Sequence, residues 1–192
     1  LDLAIDGDGF FTTRNPENGE LFYTRNGNLN IDGAGNIRDF AGQNLQVFAT
    51  DAAGNVTSTA ATIDAVVPLT NGAGSDLANV TVEGNGVVFA SYADGTTEAI
   101  GRIAIAKFVA PDGLRSIGQT KWEATGISGA PNFELPGIGN AGLILSGALE
   151  RSNVDLAEEM VALITAQRNF QANAKAIDTA TQISQTVINL RT

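Results

Sequence analysis

The C-terminal part of the sequence carries the feature that most restricts its fold: residues 155–190 contain neither glycine nor proline. Four apolar residues in this segment lie seven residues apart and a methionine stands on the adjoining stripe: Leu156, Leu163, Phe170, Ile177 and Met160. This spacing predicts one long amphipathic helix with a seam close to that of a coiled coil. After a drift of one residue, the apolar face is predicted to continue through Ile183, Val187 and Leu190.

The predicted helix is longer than a small globular domain. Its start is indicated by Ser152, Asn153 or Asp155 as N-cap, with Glu158 three residues after the last of these. About 36 residues at 1.5 Å each give a rod of about 54 Å. A compact domain of about 150 residues has a radius of gyration near 15 Å. The distal apolar positions therefore need another surface, and we favour a role in binding a partner over packing on the chain's own sheet.

Residues 1–150 show the pattern of β structure. Leu1, Leu3 and Ile5 alternate with polar or small residues, as in a half-buried strand. Short apolar runs follow every 8–12 residues and are separated by turn signals such as Asn26-Gly27. The sequence therefore predicts a mainly β fold, with a sandwich-like or barrel-like domain and one long C-terminal α-helix.

The sequence divides into three kinds of segment. Residues 1–50 and 80–150 are predicted to form the β-rich core domain. Residues 51–79 are rich in Ala, Thr, Gly and Asp, and we interpret them as a short insertion or loop. Residues 151–192 are predicted to form the terminal amphipathic helix.

Composition excludes several classes of function. The chain has no histidine and no cysteine, which removes Ser-His-Asp and Cys-His catalysis and every metal site built on those ligands. Its net charge of −10 and pI of about 4.3 disfavour non-specific binding of nucleic acid. No apolar run approaches the roughly 20 residues that span a bilayer. We therefore predict no enzyme, no catalytic residue, no cofactor, no metal, no nucleic-acid partner and no membrane insertion.

Two motifs with a possible chemical role have simpler interpretations. Asp6-Gly7-Asp8-Gly9 begins like a calcium loop, but Phe11 stands where that loop needs glycine, so a turn is favoured. The many carboxylates leave room for a secreted β-rich module that binds or cleaves glycans. Such a module needs aromatic platforms, and Trp122 is the only tryptophan, which argues against it.

Several motifs resemble the bacterial flagellar hook and basal-body rod proteins, the axial family. The C-terminal part of the resemblance runs over residues 147–156 and 166–175, and its motif positions are Glu150, Ser152, Asn153, Val154, Gln167, Arg168 and Asn173. The opening at residues 1–11 and the Tyr23-Thr24-Arg25-Asn26-Gly27 stretch are similar to the same family. The resemblance covers about residues 1–50 and 80–192.

The resemblance implies a structural subunit that polymerises helically and catalyses nothing. Family members leave the cell through the flagellar export channel without a cleaved signal peptide and assemble beneath a cap. Its partners would be further copies, other flagellar axial proteins and the hook cap. In the family an N-terminal helical segment, before the position of Leu1, pairs with the C-terminal helix to form an inner tube. The helix stripe would then line this assembly.

The resemblance is compatible with two members of the family, the hook subunit and the distal rod subunit. The Asn153-Val154-Asp155-Leu156 and Asn169–Asn173 stretches look more like the hook subunit than the distal rod subunit. Hook subunits carry larger outer domains where this chain has only residues 51–79. The hook, a flexible joint that transmits motor torque, is the favoured reading, and the straight distal rod is the alternative.

Overall fold

The computed structural model of the chain describes residues 1–189. The chain forms two compact units, Leu1–Glu150 and Arg151–Thr192. Within the described residues the first unit contains fifteen strands and a short 3-10 turn at Pro111–Gly113, and the second contains one α-helix. The prediction of a mainly β fold with a single long C-terminal helix is confirmed.

The elements have the following bounds. The strands of the first half are β1 (Asp2–Asp6), β2 (Phe10–Arg14), β3 (Leu21–Thr24), β4 (Gly27–Ile31), β5 (Ile37–Asp39), β6 (Asn44–Phe48), β7 (Ile63–Asp64) and β8 (Leu77–Val82). The others are β9 (Val87–Tyr92), β10 (Thr97–Ile103), β11 (Ile105–Lys107), β12 (Arg115–Gly118), β13 (Lys121–Glu123), β14 (Asn132–Glu134) and β15 (Leu143–Ser146), and the helix is α1 (Leu156–Asn189).

Every pairing between the described strands is antiparallel. One path runs β12-β13-β3-β2-β6-β5-β4-β1-β15, and β7 and β10 branch from β6. Strand β10 continues to β9 and β8, while β11 joins β2 to β14. Strand β6 thus lies where the branches meet, and all five of its residues are buried.

The core contains the alternate residues of these strands. In β1, Leu3 and Ile5 face inward, as the alternation in the sequence predicts. They join Phe11, Ile103 and Ile105, none of which is accessible to solvent. Because about 90 residues of sequence separate Phe11 from Ile103, the β unit cannot be assembled from local contacts alone.

Four loops of the β unit share one pattern: Asp or Asn, any residue, Ala, Gly, and then Asn, Gln or Ser. They are residues 32–36, 39–43, 51–55 and 71–75. In each loop the first side chain accepts hydrogen bonds on Oδ1 from the N–H groups of the third and fifth residues, at 2.8–3.0 Å. The fourth residue has φ between 80° and 87°, which glycine adopts without steric cost. The repeated pattern closes four turns in the same way.

Residues 51–79 contain β7 and the beginning of β8. After β7, Ala65 and Val67 are fully buried. The Ala65 N–H donates to the Leu45 carbonyl and the Val67 N–H donates to the Gly35 carbonyl, both at 2.8 Å. The middle of this segment is therefore part of the core. The segment boundaries that the sequence predicts, near residues 50, 80 and 150, remain predictions.

The helix α1 has 34 residues and begins after Asp155. The Asp155 carboxylate accepts a hydrogen bond from the Ala157 N–H at 2.8 Å, so Asp155 is the N-cap among the three candidates. Glu158 and Glu159 lie in the first turn, where the helix dipole favours negative charge. Over residues 1–189, no helix combines the length and apolar character that crossing a membrane requires.

Candidate assembly helix

The apolar residues of α1 are exposed to solvent. Seven of the eight residues predicted to form the assembly stripe lie within the described part of the chain, and their exposed fractions are 59–77%: Leu156, Met160, Leu163, Phe170, Ile177, Ile183 and Val187. Leu190, the eighth, lies outside the described residues. Ile164 and Ile188 are also exposed. Exposed apolar area of this extent is typical of interaction surfaces.

The geometry of an α-helix separates these residues into two faces. Each residue turns the helix by about 100°, so positions seven apart drift by only about 20°. Leu156, Leu163, Phe170 and Ile177 therefore lie along one face, which we call face one. Ile183 follows Ile177 by six residues and lies about 120° away from it. A single flat surface cannot cover both faces at once.

Face two consists of Ile183 and Val187. These residues are four apart, so they lie one above the other on the helix. The step from Ile177 to Ile183 is six residues, one fewer than the heptad spacing. This difference rotates the apolar stripe by about a third of a turn around the helix. A helix with this pattern either wraps around its partner or contacts two neighbours.

The motif residues fall into separate groups. Gln167, Arg168 and Asn173 are exposed on α1. In the segment before the helix, the Val154 N–H donates to the Ser152 hydroxyl at 3.2 Å, and the Asn153 side chain is exposed. Glu150 belongs to the β unit.

Glu150 is held by an arginine clamp in the β unit. Arg25 Nε donates to Glu150 Oε2 at 2.6 Å. Its two terminal nitrogens donate to the carbonyl oxygens of Ile5, Gly7 and Gly9 at 2.9–3.1 Å. Because a guanidinium has five N–H groups, every donor of Arg25 is used. The clamp joins the turn after β1, the turn after β3 and the end of the β unit.

Two glycines near the clamp allow close packing. A Cβ atom at Gly27 would lie 2.0 Å from the Leu3 carbonyl oxygen, and one at Gly9 would lie 2.1 Å from a methyl group of Ile105. In the sequence, Arg25 entered only as part of a resemblance and Gly27 also as part of a turn signal, and neither predicted the clamp. No local pattern indicates the clamp, because Arg25 and Glu150 are 125 residues apart in the sequence.

A polar cluster in the β unit surrounds Asp64. Arg14 binds its carboxylate in a bidentate manner, at 2.9 Å from Nε and 2.7 Å from Nη2. Asn44 and Gln46 donate to the same carboxylate. Partial burial raises the pKa of Asp64, but the hydrogen bonds from Arg14, Gln46 and Asn44 outweigh it and lower the pKa. Both oxygens are therefore engaged in structural contacts, and the cluster offers no free acid or base.

The aromatic residues that a glycan site would need pack against one another. The Trp122 ring lies 5.7 Å from Phe10, and Phe108 lies 6.0 Å from Phe10 and 4.8 Å from Tyr23. Burial raises the pKa of Tyr23 to about 12. Among the described residues, no group of three or more acidic side chains is placed to hold a metal ion. These aromatic rings are thus part of the packing of the β unit.

The chain is similar to flagellar axial proteins along most of its length. A family model described as "Flagellar hook protein FlgE/F/G D1 domain" matches residues 4–90, and one described as "Flagellar basal body rod FlgEFG protein C-terminal" matches residues 145–190. The flagellar hook protein FlgE of Escherichia coli is 43% identical over 116 residues, which are 60% of this chain and 29% of that protein.

Other relatives match a larger share of the chain. The flagellar basal-body rod protein FlgG of Bacillus subtilis is 35% identical over 192 residues, 100% of this chain and 65% of that protein. The chain thus spans less than a third of the hook relative and about two thirds of the rod relative. A solved hook protein FlgE2 of Helicobacter pylori covers 72% of this chain and 32% of its own, at 17% identity and a TM-score of 0.34, which is too low to support a conclusion.

Proposed function

Because the chain belongs to the family of flagellar hook and basal-body rod proteins, we propose that it is a structural subunit of the bacterial flagellar hook. In this proposal copies of the chain polymerise helically into a tube that acts as a flexible joint and transmits motor torque. The family is a structural component of the flagellum and not an enzyme class. The observation that carries the proposal is the exposed apolar surface along α1.

The physical argument rests on the area that α1 leaves uncovered. Burying one large apolar side chain contributes about 1.5–3 kcal/mol, so the residues of both faces together supply ample free energy for association. Face one provides a stripe with the spacing of a coiled-coil seam, and face two provides a second contact. Two differently directed contacts on one rod favour a polymer over a closed pair, because each helix can then contact more than one neighbour.

The location and the further partners follow from the same proposal. The subunit would be exported beyond the cytoplasm without a cleaved signal peptide and would be incorporated into the hook or basal body. Its partners there would be copies of itself, adjoining axial proteins and the hook cap. These expectations rest on the family match.

A rod subunit is the second candidate, and one observation favours it. The rod relative from Bacillus subtilis aligns with all 192 residues, including residues 51–79, whereas the hook relative from Escherichia coli aligns with 116. The higher identity of the hook relative supports the first candidate. The two differ in the shape of the assembled particle, since a hook curves and a rod is straight.

Electron microscopy of the full-length protein at high concentration tests the proposal. We expect tubular particles, curved for a hook subunit and straight for a rod subunit. The variant Leu163→Asp places a charge on face one and should abolish assembly, whereas Asn169→Asp places the same charge about 120° away on the helix and should assemble. Monomers of the unmodified protein at all concentrations, or normal tubes from Leu163→Asp, would contradict the proposal.

A further inference from the structure

Four asparagines of the β unit stand directly before a glycine: Asn18, Asn26, Asn71 and Asn85. Such a pair can deamidate spontaneously, because no side chain on the glycine hinders its nitrogen from attacking Cγ of the asparagine. The attack forms the N–Cγ bond of a five-membered succinimide and breaks the Cγ–Nδ2 bond. Ammonia leaves with the proton that the glycine N–H gives up, and water then opens the ring to aspartate or isoaspartate.

The attacking nitrogen is occupied at three of the four pairs. The Gly19 and Gly86 N–H groups donate to backbone carbonyls at 2.9 and 2.8 Å. Gly27 pairs with Leu3 in the ladder of β1 and β4, and the alternation of this ladder makes the two residues exchange backbone hydrogen bonds. An N–H group that donates to a carbonyl gives up its proton less readily, so these three pairs are protected at the attacking atom.

The pair Asn71-Gly72 is protected at the other reacting group. Among the described residues, no group accepts a hydrogen bond from the Gly72 N–H. The Asn71 side chain, in contrast, is held in place and the residue is only 9% exposed. Its Nδ2 donates to Asp94 Oδ2 at 2.6 Å and to Thr96 Oγ1 at 2.9 Å. We call these two hydrogen bonds the amide latch.

The amide latch explains why this loop begins with asparagine. The other three loops of the same five-residue pattern begin with aspartate. Oδ1 of Asn71 accepts the same two backbone hydrogen bonds as the aspartates do, so the loop geometry alone would admit either residue. An aspartate here would place a carboxylate oxygen at the position of Nδ2, 2.6 Å from the carboxylate of Asp94. Two carboxylates this close cannot both remain ionised without a strong repulsion.

From these contacts we infer that Asn71 is a latent deamidation site, which the amide latch keeps closed. The attack pulls Cγ of Asn71 toward the Gly72 nitrogen and makes it tetrahedral. Nδ2 is then displaced from the position in which it donates to Asp94 and Thr96. The reaction therefore proceeds from a locally opened state, whose population the latch sets. Once the amide is lost the latch cannot form again, because the new carboxylate has no N–H donor and faces Asp94.

The latch joins two segments of the β unit that are separate in the sequence. Residues 71–75 lie just before β8, and Asp94 and Thr96 lie in the turn between β9 and β10. The Ala93 N–H donates to the Asp76 carbonyl at 3.0 Å and joins the same segments. Deamidation should therefore loosen one end of the β8–β9–β10 meander while the rest of the β unit stays folded.

Peptide mapping by mass spectrometry tests the inference on the full chain after several days in mildly alkaline buffer. In urea, Asn18, Asn26, Asn71 and Asn85 should deamidate at similar rates, and in the folded protein Asn71 should react many times more slowly. Thr96→Val removes one acceptor of the latch and should accelerate the reaction at Asn71 roughly fivefold, the factor by which one lost hydrogen bond shifts an opening equilibrium. The other three pairs should keep their rates and serve as internal controls.

Two further variants separate the latch from other causes. Thr96→Ser retains the hydroxyl acceptor, so Asn71 should react as slowly as in the natural protein. Thr96→Val/Gly72→Ala adds a methyl group beside the attacking nitrogen and should slow the reaction again. No acceleration at Asn71 in Thr96→Val, or equal acceleration at all four pairs, would overturn the inference, because protection would then come from the overall fold and not from the latch.

The repulsion in the deamidated product can be measured directly. Asn71→Asp imitates the product and should lower the urea midpoint at neutral pH. Asn71→Asp/Asp94→Asn exchanges donor and acceptor, so an amide again faces a carboxylate and most of the loss should be recovered. A double variant no more stable than Asn71→Asp would contradict the assigned role of Asp94.

Discussion

Lys121 and Asp39 form an ion pair inside the β unit, with Nζ 2.7 Å from Oδ2 and exposed side-chain fractions of only 3% and 1%. The two atoms are close but are not aligned as a hydrogen bond, so the stabilisation is mainly electrostatic. Lys121 Nζ also lies 5.6 Å from the centre of the Phe40 ring. The pair joins β13 to the end of β5, which are not neighbours in the sheet.

Removal of one partner of this pair should destabilise the fold strongly. Lys121→Met leaves the Asp39 carboxylate buried without a counter-charge, and we expect a loss of about 3 kcal/mol in the free energy of unfolding. Urea unfolding of the full chain, followed by Trp122 fluorescence, measures it. Lys121→Met/Asp39→Asn should recover most of the loss, because asparagine keeps the Oδ1 acceptor for the Ala41 and Gln43 N–H groups. A double variant no more stable than the single one would contradict this account.

The repeated five-residue loops predict a graded response at Asp51. Asp51→Ala removes the acceptor of the Ala53 and Asn55 N–H groups and should lower the urea midpoint. Asp51→Asn should have a smaller effect, since Asn71 fills the same position in a native loop.

Gly54 in the same loop should be sensitive for a different reason. Its φ of 83° is unfavourable for other residues, and an added Cβ atom would lie 3.0 Å from a methyl group of Val87, so Gly54→Ala should cost about 1–2 kcal/mol. Gly72→Ala, at a loop glycine with open space around its Cα, serves as the control and should have little effect. Equal losses from the two substitutions would show that neither the backbone conformation of Gly54 nor the Val87 contact is the cause.

Asp94 should make stability depend on pH in the acid range. Hydrogen bonds from the Thr96 hydroxyl and N–H and from Asn71 lower its pKa to about 2. A carboxylate whose pKa is lowered by folding stabilises the folded state above its unfolded pKa of about 3.9 and loses this contribution as the pH falls through the folded value. The stability difference between the natural protein and Asp94→Asn should therefore be complete at pH 6 and shrink between about pH 4 and pH 2.

Urea midpoints measured across this range check the Asp94 prediction. Thr96→Val removes one donor and should move the pKa of Asp94 back toward its ordinary value, so the pH dependence should weaken. A difference that stays constant from pH 6 to pH 2 would show that Asp94 does not contribute in this way.

The arginine clamp should not tolerate lysine. Arg25→Lys keeps the charge but removes the planar guanidinium group that donates hydrogen bonds to the carbonyl oxygens of Ile5, Gly7 and Gly9. We therefore expect a loss of about 2 kcal/mol in the free energy of unfolding. Glu150→Gln retains an acceptor for Nε and should cost less. Chemical unfolding of both variants makes the comparison. A larger loss for Glu150→Gln would indicate that the ion pair, and not the carbonyl contacts, is the main contribution.

Local patterns predicted most of the strands and the helix, and the exceptions have physical causes. The hairpin of β12 and β13 was missed because its turn places Gln119 and Thr120 at φ of 53° and 57°, where sequence rules expect Gly or Asn. Strand β7 has two residues, too few for any period to be recognised. Strand β14 lies in a passage whose glycines and prolines indicate irregular structure.

The candidate site was predicted in part. The heptad spacing identified face one of α1, because helix geometry converts sequence spacing directly into a surface. The same spacing predicted that Ile183 and Val187 continue the apolar stripe of face one. The six-residue step from Ile177 to Ile183 instead places them on another face of the helix. The exposed positions of Leu143 and Leu145 could not be predicted, since these residues acquire their orientation only when β15 pairs with β1.

The sequence by itself determined the β alternation, the glycine turns and the apolar seam of the long helix. These depend on residues within a few positions of one another, where backbone geometry alone relates spacing to direction. Only the tertiary structure decided that Lys121 meets Asp39, that Arg25 reaches four separate residues and that β15 lies at the edge beside β1. Such contacts join distant parts of the chain, and no local pattern specifies which buried charge or strand edge will find which partner.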